Sequence, residues 1–173
     1  MPRSCAGVSE AALIGLGSNL GDPQRQLSRA LLGLARLGEV VGRSSLYQSA
    51  PLGGPPGQPD YLNAVVALLP VCTEPEQLLA GLLALEREQG RVRRQPSAAR
   101  TIDLDLLSWG RRVVVSETLL LPHPRMMQRA FVLAPLCELY PAWRHPVSGV
   151  SACASLAGLA EQGWVKTDLP WLA

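Results

Sequence analysis

Asp103 and Asp105 stand two residues apart in the stretch Thr101-Ile102-Asp103-Leu104-Asp105-Leu106-Leu107. On a strand, alternate side chains share a face. The two carboxylates then point one way, and Ile102, Leu104 and Leu106 point into the core. Their Cα atoms would lie about 6.5–7 Å apart at the usual strand rise. Two acids this close repel each other unless a cation lies between or beside them. Carboxylate oxygens are hard ligands and suit Mg²⁺, which takes one or two of them and leaves its other positions to water and phosphate. The plain alternative is a pair of solvated acids on an exposed sheet face.

The segment just upstream favours the metal reading. Arg91, Arg93, Arg94 and Arg100 all lie within twelve residues of Asp103. A guanidinium is a fixed fork of donors that matches phosphate oxygens. A basic loop beside two metal-binding acids is what group transfer from a nucleoside triphosphate requires, because developing charge must be neutralised and the reacting oxygens aligned. Two blander readings compete: the arginines pair with the acids, or they grip nucleic acid. An RNA-reading sheet needs exposed aromatics on its central strands. At 5% aromatic and with a single Phe, this chain has few to offer.

Other residues fit around this pair. Glu86 continues the Leu79-Leu82-Leu83 row and so faces partly inward. It is either a half-exposed acid at a fraying helix end or one that orients an arginine or meets a ligand. His123, fixed between Pro122 and Pro124 and close to Arg125 and Arg129, is a phosphate contact or a structural imidazole. Asn63 is a turn residue or a side chain that donates and accepts at once, as the amide edge of a heterocycle demands. Tyr61 and Phe131 are core residues or the walls of a slot for a flat substrate. The run Gly15-Leu16-Gly17-Ser18-Asn19-Leu20-Gly21 matches neither a Walker A loop nor the dinucleotide fingerprint, and reads as a structural turn.

The elements that must position these groups follow from periodicity. Residues 11–17 form a short buried strand. Asp22 caps a helix with Pro23 at its first position; Leu27, Ala30, Leu31 and Leu34 follow at helical spacing, and Gly38 sits where a C-terminal cap would. Residues 40–48 read as one strand, 49–59 as an irregular Pro/Gly loop of the kind that is often functional, and 61–69 as a strand. Thr73-Glu74-Pro75-Glu76 is a capping box opening a helix that Gly90 stops. A basic loop, 91–100, leads to a strand at 101–109, with which 112–116 pairs as a hairpin. Helices at about 127–139 and within 150–160 complete the chain. The order β-α-β-β-α-β predicts an α+β, ferredoxin-like α/β/α sandwich: a mostly antiparallel sheet with helices on its faces.

Length and composition agree. The 173 residues suit one domain spanning 1–173. A chain 47% hydrophobic and 17% charged is not disordered. Its net charge of +2 gives little whole-molecule attraction to nucleic acid or to a membrane. Cys5, Cys72, Cys137 and Cys153 match no zinc spacing and read as small hydrophobes or free thiols. No signal segment or membrane span is legible. A soluble, cytoplasmic monomer is expected.

Taken jointly, four blocks resemble the 6-hydroxymethyl-7,8-dihydropterin pyrophosphokinases of folate biosynthesis. They are Ile14-Gly15-Leu16-Gly17-Ser18-Asn19-Leu20-Gly21-Asp22; Gln58-Pro59-Asp60-Tyr61-Leu62-Asn63-Ala64-Val65; Leu85-Glu86 and Gly90-Arg91-Val92-Arg93 through Arg100-Thr101-Ile102-Asp103-Leu104-Asp105; and Leu121-Pro122-His123-Pro124-Arg125-Met126 through Arg129-Ala130-Phe131-Val132-Leu133. They run from residue 14 to about 139. The resemblance implies a Mg-dependent diphosphotransferase that moves pyrophosphate from ATP to the pterin's hydroxymethyl oxygen and releases AMP. It implies two Mg²⁺ ions on Asp103 and Asp105. It places Glu86, Arg91, Arg93, Arg100, His123 and Arg129 around ATP, with Arg91 and Arg100 tied to the transfer itself. Ser49, Ala50, Leu52, Tyr61, Asn63 and Phe131 would form the pterin slot. The chain departs from the family pattern at Ala50, where proline is usual, and at Pro96-Ser97-Ala98-Ala99, where relatives carry Trp-Gly-Pro. The competing expectation is a non-catalytic ferredoxin-like nucleotide-binding or regulatory module whose acids and arginines are surface pairs.

Overall fold

The computed structural model describes residues 10–92 and 98–173. Cys5, Arg93, Arg94, Pro96 and Ser97 lie outside the described residues. Strand β1 (Ala12–Ser18) sits at the centre of the main sheet, antiparallel to β4 (Tyr61–Pro70) on one side and β5 (Asp103–Trp109) on the other. Beyond β4 come β2 (Gly38–Arg43) and β3 (Tyr47–Ser49), lying end to end along it, and β8 (Val165–Lys166) then pairs with β3. Counting β2 and β3 as one interrupted strand gives the ferredoxin-like order that the β-α-β-β-α-β pattern predicts.

Helices α1 (Pro23–Leu34) and α2 (Pro75–Glu88) cover one face; α3 (Ala130–Leu139) and α4 (Ala152–Ala157) cover the other. Strand alternation feeds both cores. Ile14, Leu16, Leu104 and Leu106 pack under α1 and α2, while Leu13, Val65, Ala67 and Leu107 pack under α3.

Several local expectations are corrected. Helix α1 starts as expected, with the Asp22 side chain accepting a hydrogen bond from Arg25 N at 3.1 Å. It ends, however, at Ala35 rather than at Gly38. Gly38 opens β2 opposite Pro70, where an added Cβ would lie 2.2 Å from the Leu69 carbonyl oxygen. Its glycine permits close backbone approach, not a helix cap. The single strand expected at 40–48 is broken. Ser44 still bonds to Val65 through its main-chain N–H (2.9 Å), but its hydroxyl, not its carbonyl, accepts from Val65 N (3.0 Å).

The capping box does not close. Pro75 takes the first helical position, which makes Glu74 the cap residue, and Thr73 Oγ1 turns to Glu74 Oε1. Residues 112–116 do not extend the main sheet. Instead β6 (Val114–Val115) pairs with β7 (Leu120–Leu121), closed by a bond from Ser116 N to the Leu119 carbonyl. Arg112 is drawn away by the Thr73 carbonyl and by the face of Trp109. The expected helix at 127–139 is split into a 3₁₀ turn (Met126–Gln128) and α3, with Arg129 extended between them. The helix expected within 150–160 is confined to α4, capped by Ser151.

Candidate active site

Three adjacent strands build the floor of the site. Gly17 stands opposite both Asn63 and Asp103, and Gly15 stands opposite both Val65 and Asp105. Asp103 and Asp105 share one face of β5, as strand alternation requires. It is the face that α3 covers further along, at Leu107. Where α3 stops, the two glycines leave the floor without side chains. A cavity of about 220 Å³ opens above it, lined by Gly15, Gly17, Asp103, Asp105, Arg100 and Arg129 on one side. On the other side stand Ser49, Ala50, Leu52, Tyr61, Asn63 and Phe131.

The uncharged side is held tightly. Asn63 is 3% exposed, and its amide nitrogen donates to Ser49 Oγ (2.9 Å) and to the Tyr47 carbonyl (3.3 Å). Its Oδ1 lies beside Gly17, where an added Cβ would meet it at 3.4 Å. Asn63 therefore presents an acceptor to the cavity. Tyr61 stands on the same strand face, and burial raises its phenol pKa. Phe131 lies in the first turn of α3, with the Arg129 guanidinium 5.6 Å from its ring centre.

The charged side is an alternating array. Asp103 is gripped by Arg100 on one carboxylate oxygen and by Arg91, at 2.7 Å, on the other. Arg91 also pairs with Glu86. Arg129 lies 3.8 Å from Asp105. Burial and the neighbouring Asp103 push the Asp105 carboxyl up to about 6, against the pull of Arg129 and Arg100. Burial and the flanking Arg129 and Arg125 push the His123 imidazole down to about 4. His123 is therefore neutral at pH 7, with Nδ1 accepting from Arg125 N at 3.1 Å.

The glycine-rich turn anchors this array. Asn19 Oδ1 accepts from Arg100 N (2.8 Å), Asn19 N donates to the Arg100 carbonyl (3.0 Å), and Ser18 Oγ donates to the Thr101 carbonyl (2.6 Å). Asn19 Nδ2 also donates to the Pro59 carbonyl (3.1 Å) and to Gln58 Oε1 (3.3 Å), so the turn ties neighbouring segments together, as a structural turn would.

Most of the expected site residues converge on one cavity. Glu86 is deeper than expected: it is 2% exposed, bonded to Leu104 N at 2.8 Å and to Arg91, and lies behind the cavity wall. Burial raises its pKa. Arg91 is likewise set back, and His123 stands near the array without lining the cavity. Arg93 lies outside the described residues. Arg125, Gln128, Pro51 and Gly53 line the cavity without having been singled out for it. Arg125 carried a signal, its position after Pro-His-Pro; Gln128 carried none. Among the described residues no group of three or more acids, histidines and cysteines could hold a metal alone. The Asp103–Asp105 pair suits a hard cation that brings oxygen ligands with it. Cys72, Cys137 and Cys153 are free and partly exposed.

The chain is similar to proteins of known family. Residues 13–141 match the family model described as 7,8-dihydro-6-hydroxymethylpterin-pyrophosphokinase (HPPK). The chain is 43% identical over 150 residues to a 2-amino-4-hydroxy-6-hydroxymethyldihydropteridine pyrophosphokinase from Synechocystis, covering 86% of this chain and 73% of that one. It is 45% identical over 130 residues to the protein of the same name from Haemophilus influenzae, covering 74% and 80%. In fold it matches the crystal structure of Plasmodium falciparum HPPK-DHPS, with a TM-score of 0.70 at 14% identity over 88% of this chain and 42% of that one. The chain belongs to the 7,8-dihydro-6-hydroxymethylpterin-pyrophosphokinase family.

Proposed function

We propose that this protein transfers the pyrophosphoryl group of ATP to the hydroxymethyl oxygen of 6-hydroxymethyl-7,8-dihydropterin, releasing AMP. The observation that carries the reading is the division of one cavity into a flat, partly aromatic slot and a wall of alternating carboxylates and guanidinium groups. A flat heterocycle and a polyphosphate need those two surfaces side by side.

On the ring side, Tyr61, Phe131 and Leu52 form the faces of the slot, with Ser49 and Ala50 along its edge. Asn63 Oδ1 accepts a hydrogen bond from the ring's amide or amino edge. On the phosphate side, Arg100 and Arg129 meet the nucleotide directly, joined by Arg91, Arg93 and His123. Glu86 serves that side through Arg91, whose guanidinium it holds. Two Mg²⁺ ions held by Asp103 and Asp105 would offset the charge of the triphosphate and of the transferring group. Arg91 and Arg100 already cluster at Asp103. Displacing them from the acid toward phosphate oxygens lets the same donors follow the charge as it develops. The attacking group is the substrate's own hydroxyl, so the protein supplies no nucleophile. Its contribution is alignment and electrostatics.

An assay with ATP, Mg²⁺ and hydroxymethyldihydropterin should yield AMP in step with pterin diphosphate, and none after chelation of the metal. Release of ADP instead would mean transfer of a single phosphoryl group and would overturn this reading. The protein is further expected to act as a monomer, which sedimentation at assay concentration checks.

A further inference from the structure

Glu138, on the last turn of α3, gathers donors from two distant segments. Its Oε1 accepts from Ser45 N (3.1 Å) and Ser45 Oγ (2.9 Å), and its Oε2 accepts from Tyr47 Oη at 2.6 Å, with Lys166 Nζ at 3.6 Å. Burial raises its pKa, but these hydrogen bonds outweigh that and leave it below the usual range. None of these residues lines the cavity. Both ends of the link nevertheless lead to it. The Tyr47 carbonyl, and Ser49 two residues further, hold the Asn63 amide. In the other direction, α3 runs back from Glu138 to Phe131, which also lines the cavity.

The strand that Glu138 grips, between β4 and β8, is only three residues long. Few contacts of its own hold a strand of that length. Residues 164–171 back it from outside. β8 pairs with Tyr47 and Gln48, the Trp164 ring lies 5.7 Å from that of Tyr47, and Trp171 Nε1 donates to the Ser44 carbonyl at 2.9 Å. Arg91, Arg100 and Asp103 are held by α2, β5 and the turn after β1, where Glu138 makes no contact.

We propose that Glu138 is a positioning residue for the ring slot: by tying α3 to residues 45–47 it sets the spacing between the Ser49–Asn63 wall and the Phe131 wall. This rests on the pterin reading above. A clamp of this kind acts on one substrate only. A merely structural carboxylate would lower stability without distinguishing the two substrates.

The test is the KM of each substrate in Glu138→Ala, Glu138→Gln and Tyr47→Phe, with wild type assayed alongside. Glu138→Ala should raise the pterin KM about tenfold and leave kcat and the ATP KM within about twofold of wild type. Glu138→Gln keeps an acceptor for both Ser45 bonds and should recover most of that loss. Tyr47→Phe removes one bond and should cost about threefold. An unchanged pterin KM, or an equal rise for pterin and ATP, would overturn the clamp. If Glu138→Ala does not fold, the other two variants carry the same criteria. A wild-type protein that neither binds nor turns over the pterin would count against the function reading, and wild-type turnover with indifferent variants against the clamp alone.

Discussion

Two halves of one sheet face do opposite things. Under α3, Leu13, Val65, Ala67 and Leu107 are buried against Met126, Leu133 and Leu136. Two and four residues along the same strands stand Gly15, Gly17, Asn63, Asp103 and Asp105, which line the cavity instead. The backbone ladder is continuous across both halves, apart from a bulge at Leu13/Ile14. The apolar half fixes the strands in register. That register places two carboxylates and an amide opposite a glycine floor. The site's rigidity is thus supplied by its neighbour, while Asp105 opposes folding: its carboxyl, with its pKa pushed up to about 6, reports burial beside a like charge.

The sharpest way to break this contrast is Asp105→Ala. AMP release should fall by at least about a thousandfold, as loss of a metal ligand or of electrostatic stabilisation predicts. The melting temperature without ligand should hold or rise; normal turnover would defeat the metal assignment. Next comes the floor. Gly17→Val puts methyl groups against Asn63 and Tyr61, and the pterin KM should rise about a hundredfold while ATP binding changes little. Equal losses for both substrates would show that the glycine serves the whole fold.

In the apolar half, Leu133→Ala should cost about 2–5 kcal/mol of stability. Turnover well below the melting temperature should be nearly unchanged, and a large loss of kcat there would blur the division. The smallest effect is pH-dependent. A carboxyl whose folded pKa is raised binds its proton more readily in the folded state. Asp105 therefore disfavours folding above pH 6, and that penalty fades as pH falls toward 4. Melting curves of Asp105→Asn without ligand should show an advantage over wild type that is largest above pH 6 and shrinks toward pH 4. An advantage constant with pH would remove the burial argument.

How much of this is legible in the chain varies by residue. Asp103 and Asp105 are readable because a period of two needs no tertiary information. The helix start at Asp22-Pro23 is readable because capping is local. Gly38 is not, since a glycine at a helix end and a glycine facing a carbonyl look identical until the partner strand is placed. The break at residues 44–46 is invisible because no breaker residue marks it; the Ser44 hydroxyl makes it possible. The depth of Glu86 depends on Leu104 N, which arrives from another strand. Glu138 gave no local signal at all, because its partners Tyr47 and Ser45 lie 91 and 93 residues away.

The segment behind β3 has a consequence in time. Leu172 N bonds to Ser28 Oγ and Gln24 Nε2 to the Pro170 carbonyl, across 144 and 146 residues. Trp171 reaches Ser44 across 127. Such distant closures are entropically the costliest and tend to form late. On a ribosome, the strands that carry the acids and the glycine floor emerge and can pair well before residue 164 exists. The nascent protein should therefore pass through a state with its acids and glycine floor assembled and the Ser49–Asn63 side of the cavity unfinished; on the proposed function, that species can meet nucleotide before it can discriminate among rings.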